Sequence, residues 1–173
     1  MNNHHWIYET DPDNFCRYSL GNFHKSPLLC VGVNPSTATP EKLDPTIRSV
    51  ARIAQTNNYD GWIMINLYPQ RATNPKDMDS IMNHSTCQEN LSIIKSILDK
   101  YKITEIWAAW GTLITKRPYL KKCLSDIYTI TSNYNWVTFG PSSKAGHPHH
   151  PLYLSSKAQK KKFDLAKYID LLE

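Results

Sequence analysis

The 173-residue chain has only six glycines, and none falls in a Walker phosphate loop or a Gly-x-Gly-x-x-Gly turn. Both motifs need glycine where backbone approaches a phosphate, so their absence argues against P-loop NTPases and dinucleotide enzymes. No Gly-x-Ser-x-Gly elbow is present, which leaves a hydrolase triad without an obvious nucleophile. The four cysteines, Cys16, Cys30, Cys87 and Cys123, form no Cys-x-x-Cys pair. Neither a zinc knuckle nor a disulfide framework is expected from them. No apolar run approaches the roughly 18–20 residues of a membrane span. The opening Met1-Asn2-Asn3-His4-His5-Trp6 lacks the basic-then-apolar order of a secretory leader. The cytoplasm is the expected location, with no membrane partner. Repeats and low-complexity linkers are absent too, so residues 1–173 are read as one domain.

What is present is ordinary for a globular chain: 40% hydrophobic and 20% charged residues, with enough length to bury a proper core. A net charge of +5 and a pI near 9.0 mildly favour an anionic partner. Much of that excess lies between Lys157 and Lys167, where the solvated face of a closing helix (about Ser156 to Leu172) explains it nearly as well as phosphate contact does.

Four short apolar runs end in polar residues. Leu28-Leu29-Cys30-Val31-Gly32-Val33 leads into Asn34-Pro35-Ser36, and Trp62 to Leu67 contains Asn66 near its end. Glu105 to Trp110 leaves into Gly111, and Trp136 to Phe139 opens into a long loop ending in His147-Pro148-His149-His150-Pro151. Short apolar runs of this kind are buried strands. Helices are expected between them. The first is capped by Asp44 with Pro45 at its first position, the second spans Ser85 to Lys100, and the third covers Leu120 to Ile127. Residues 6–23 suggest an edge hairpin without chemistry of its own. The expected architecture is a three-layer α/β/α sandwich on a mainly parallel four-stranded sheet, plus an N-terminal β-hairpin. Parallel strands all point one way, so the polar strand ends share one rim, where ligands of open α/β sheets sit.

These rim segments, in order, resemble the uracil-DNA glycosylase superfamily. Gly32-Val33-Asn34-Pro35 resembles its water-holding loop, and Ile63-Met64-Ile65-Asn66 the strand whose asparagine reads a flipped pyrimidine. Trp110-Gly111 resembles an intervening turn, and His150-Pro151-Leu152-Tyr153 the final His-Pro loop. The fuller pattern, Gly-Val-Asn-Pro-Ser-Thr-Ala, Asn-Leu-Tyr-Pro and Gly-His-Pro-x-His-Pro-Leu-Tyr, also resembles domain of unknown function 1643.

The resemblance implies a monofunctional, metal-free DNA glycosylase that removes uracil or another altered base and needs no cofactor. DNA or a free nucleobase or nucleotide is the implied partner, and a monomer is expected. Asn34 would orient water, and His150 or His147 would stabilise charge on the departing base. Asn66 would read the base edge with one acceptor and two donors. Gly32, Pro35, Ser36 and Gly111 would shape the pocket, and Tyr68, Trp110 and Tyr153 are candidates to stack on the base.

Two departures bear on activity. Asn34 stands where the most active branch carries aspartate, and an amide cannot accept a proton from water at neutral pH. Asp44 is a candidate substitute base, though it also reads as a helix cap. The last motif is His-Pro-Leu-Tyr in place of His-Pro-Ser-Pro, with a second His-Pro upstream at His147-Pro148, which leaves open which histidine faces the base. The alternative function is a catalytically weak or inactive nucleobase-, nucleotide- or nucleic-acid-binding module of the same fold. A further reading, a metal-dependent hydrolase on His147, His149 and His150, needs ligands that no spacing in the sequence supplies.

Overall fold

The chain was analysed as a computed structural model, which describes residues 4–172. Met1–Asn3, which open the stretch read for a leader, and Glu173 lie outside the described residues. Strands β1 (His5–Thr10) and β2 (Arg17–Phe23) form an antiparallel hairpin. The four apolar runs become β3 (Leu28–Gly32), β4 (Gly61–Asn66), β5 (Glu105–Ala108) and β6 (Asn135–Phe139), all mutually parallel. A last strand, β7 (Lys160–Lys162), runs antiparallel to β6. The order across the sheet is β1-β2-β4-β3-β5-β6-β7.

The sheet is therefore mixed and seven-stranded, not a four-stranded parallel sheet with a separate hairpin. Two local facts make the difference. Leu20 and Asn22 of β2 pair with Met64 and Trp62, so the hairpin extends the sheet. The closing helix, expected from about Ser156, begins only at Leu165, because Lys160–Lys162 instead cover the open edge of β6. Three lysines suit that place: an edge strand carrying charge resists pairing with another chain.

Helices cover both faces. Helix α1 (Pro45–Thr56) starts where the sequence marks it, with the Asp44 carboxylate accepting from Ile47 N at 2.9 Å. Its Ile47, Val50, Ile53 and Ala54 pack on Leu28, Cys30, Trp62 and Met64. Helices α2 (His84–Lys100), α3 (Tyr119–Thr131) and α4 (Leu165–Leu172) pack on the opposite face, against Leu29, Val31, Ile63 and Ile65. Alternate residues of each central strand thus feed separate cores, as a period of two requires. The chain leaves β3 toward α1 and leaves β5 toward α3, on opposite faces. Loops that part in this way leave a crevice at the carboxyl ends of the strands.

Candidate functional site

A cavity of about 640 Å³ occupies that crevice, on the α1 side of the sheet. Small-molecule sites generally fall between about 300 and 1,000 Å³. Its floor is the sheet itself. Gly32 ends β3, Asn66 ends β4, and Arg17 opens β2 beside them, since Leu20 stands opposite Met64. Gly32 has to be bare. A Cβ there would stand 2.5 Å from Met64 Cε and 2.9 Å from Asn66 Oδ1.

Asn66 is 1% exposed, yet neither its Oδ1 nor its Nδ2 has a hydrogen-bond partner within the protein. Its backbone is fixed, because the Asn90 Nδ2 donates to Asn66 O at 2.9 Å. An unpaired buried polar group costs about 1–3 kcal/mol. The Asn66 amide thus carries an uncommitted donor and an uncommitted acceptor at the floor of the cavity.

Asn34 has the opposite character. Its Nδ2 donates to Ala72 O at 2.8 Å and Pro35 O at 3.0 Å. Two carbonyl partners fix the amide's orientation, so the side chain offers the cavity its Oδ1 acceptor. Pro35 O also accepts from Ala72 N at 2.9 Å, and Ser36 Oγ donates to Thr73 Oγ1 at 3.2 Å. These bonds hold the loop after β3 against the loop after β4. Asp44 lines the cavity while capping α1.

The histidine stretch forms the facing wall. His150 Nδ1 accepts from Leu152 N at 3.2 Å, so the neutral ring carries its proton on Nε2. Burial, and then the neighbouring His149, lower the His150 pKa against an opposing pull from Asp44. His147 Nδ1 lies 2.7 Å from the Tyr168 hydroxyl, whose oxygen accepts from Trp110 Nε1 at 3.0 Å. In the tautomer in which the Tyr168 hydroxyl donates to Nδ1, the His147 ring proton sits on Nε2 as well. Burial lowers the His147 pKa. Both shifts favour the neutral ring, and a neutral His150 donates from Nε2. His149 Nδ1 donates to His150 O at 2.9 Å. Gly111, at φ +59°, lets this loop close, because a Cβ would lie 3.0 Å from His150 Cβ. Among the described residues no group of three or more His, Cys, Asp or Glu could hold a metal ion.

Gly32, Asn34, Pro35, Ser36, Asn66, Gly111, His147, His150 and Tyr153 all border the cavity. Tyr153 stands at its mouth, 78% exposed. Tyr68 and Trp110 do not border it, and the expectation that they stack on a ligand is corrected. Both are fully buried in the core on the α2–α3 side. The Tyr68 hydroxyl donates to Asp79 Oδ2 at 2.9 Å, and the Trp110 indole is held by Tyr168. An aromatic just past a strand end packs wherever the outgoing loop takes it.

A family model described as protein of unknown function (DUF1643) matches residues 17–152. The chain belongs to the DUF1643 family. The stretch matched by DUF1643 contains Arg17, Gly32, Asn34, Asn66 and His150, and ends just before Tyr153. No curated protein and no solved structure matches the chain. The charged cavity residue Arg17 of this DUF1643 chain was not legible as a site residue in the sequence. Arg17 sits in a hairpin that looked purely structural. Its signal is slight: one cation opening a strand, Tyr18-Ser19-Leu20-Gly21, whose next positions are aromatic, small or apolar.

Proposed function

We propose that the cavity receives the edge of a pyrimidine-like heterocycle and that the protein hydrolyses an N-glycosidic bond to uracil or another altered base, on a uracil-DNA glycosylase-like fold. The observation that carries this reading is the paired, uncommitted donor and acceptor of buried Asn66. That amide complements the adjacent N3–H and O4 of uracil.

In this reading the bond from C1′ to the base breaks first, and its electron pair leaves with the base. Nε2–H of His150 or His147 stabilises the resulting anion, a contribution worth about 3 kcal/mol for one well-aimed donor. Water held by Asn34 Oδ1 adds to the cationic C1′, and its proton passes to solvent. Asn34 positions that water without deprotonating it, so the rate is modest. A second reading, a binding module without turnover, is favoured by Asn34. Both amide protons of Asn34 are committed to backbone carbonyls, as in a structural loop.

Incubation with single- and double-stranded oligonucleotides carrying uracil and other altered bases tests the first reading. Abasic sites that disappear in His150→Ala support it, and no abasic sites across the panel reject catalysis. Ligand-induced stabilisation that survives Asn34→Ala and vanishes in Asn66→Ala then supports the binding module.

A further inference from the structure

Arg17 is 1% exposed, and its Nε is buried without an acceptor. Its hydrogen bond to the protein is long, 3.4 Å from Nη1 to Ala38 O. The ion pairs among the described residues all involve lysines. Burial and then the nearby Arg71 lower the Arg17 pKa to about 10, against a raising pull from Asp44 and Tyr8. The group remains cationic at pH 7.

Arg71 shows what a structural arginine looks like in this same region. Its Nη1 donates to Ser36 O at 2.5 Å, its Nη2 to the Tyr8 hydroxyl at 2.6 Å and its Nε to Asn14 Oδ1 at 3.1 Å. All three nitrogens staple neighbouring loops. Arg17 staples almost nothing. A buried guanidinium without an anion is costly to maintain, unless an anion arrives from outside. Arg17 borders the same cavity as Asn66, and about 640 Å³ leaves room for more than a lone pyrimidine.

We propose that Arg17 is the anion-binding residue of this cavity and receives a phosphate of the ligand whose planar edge rests on Asn66, so that the cavity takes a nucleoside monophosphate unit. The guanidinium fork matches phosphate oxygens in pairs, which an ammonium group cannot do. The inference rests on the heterocycle reading above. The phosphate can be the terminal group of a free mononucleotide or a phosphodiester within a strand.

Calorimetric titration of the full chain with deoxyuridine, deoxyuridine 5′-monophosphate and a short deoxyuridine-containing oligonucleotide tests this, beside thermal melts in inorganic phosphate. In the unmodified protein the monophosphate is expected to bind at least about ten-fold tighter than the nucleoside. Arg17→Met removes that difference, and inorganic phosphate raises the melting temperature of the unmodified protein but not of Arg17→Met. An oligonucleotide that matches the mononucleotide assigns the anion to a strand, and a weaker one assigns it to a free nucleotide. Arg17→Lys, which keeps the charge but loses the fork, recovers only part of the affinity and serves if the Met variant does not fold. Equal affinity for nucleoside and monophosphate, with no effect of inorganic phosphate, overturns the inference. Phosphate stabilisation through Arg17 without any binding of deoxyuridine sinks the heterocycle reading alone.

Discussion

Two clusters of polar groups lie at the end of β4, on opposite faces of one sheet, and they are built by opposite rules. On the α2–α3 side, Asp79 accepts from the Tyr68 hydroxyl at 2.9 Å and from Gln70 Nε2 at 3.3 Å. Asp79 N returns a bond to Gln70 Oε1 at 2.7 Å, and Asp79 O accepts from the Tyr119 hydroxyl at 2.8 Å and Arg117 Nε at 3.0 Å. The cluster is closed on itself. On the α1 side, Asn66 keeps both amide atoms unpaired and Arg17 keeps an unpaired Nε. Satisfied networks rigidify a fold, whereas each unsatisfied buried group calls for an explanation of its own. The first cluster holds the loops and the second faces what they enclose.

Breaking the closed cluster should have the largest effect. Asp79→Ala strands the Tyr68 hydroxyl and the Gln70 amide, and is expected to lower unfolding free energy by about 3 kcal/mol in urea titrations. A loss under about 1 kcal/mol would erase the distinction between the clusters. Slightly smaller, and confined to chemistry, is His150→Ala. Base release is expected to fall about 100-fold while the unfolding midpoint barely moves. Gly32→Ala comes next, since the added Cβ forces Met64 and Asn66 aside. Overpacking of this kind costs about 1–3 kcal/mol, and calorimetry should show weaker ligand binding alongside it. Asn66→Leu sharpens the contrast from the other side. Removing an amide that has no partner within the protein should not lower stability, yet ligand binding should vanish.

The smallest expected effect is on acid stability. The His147 and His150 pKa values lie below their ordinary value in the folded protein, so the unfolded chain binds these protons more readily. Their contribution to stability is complete above the unfolded value near pH 6.5 and is lost as pH falls through it toward the folded values. Melting temperature should therefore decline between about pH 7 and pH 5, and more shallowly in a His147→Gln/His150→Gln variant. An unchanged slope would place both rings in water.

The central strands and α1 were legible because their signals are local. Five consecutive buried residues in β3 and an Asp-Pro cap need no distant partner to be recognised. The outer strands were not legible. Lys160–Lys162 become a strand only because β6 would otherwise present an open edge, a condition set by tertiary structure. The rim asparagines and histidines could be found from strand-end logic, which places residues along the sheet. Which side of the sheet a loop residue joins is set by where the chain goes next, and on that point Tyr68 and Trp110 were misplaced. Arg17 lay beyond reach for a related reason. Its β2 joins β4 antiparallel, so the start of that strand arrives at the end where the parallel strands finish.

The side-chain amide resonances of Asn66 report on the central claim most directly. In a ¹⁵N-labelled sample titrated with uracil and with deoxyuridine 5′-monophosphate, they are expected to shift with ligand occupancy. The Asn90 side chain, tied to backbone carbonyls on the other side of β4, should stay in place. Asn66 resonances that do not move at saturating ligand, or that move no more than those of Asn90, would contradict the account.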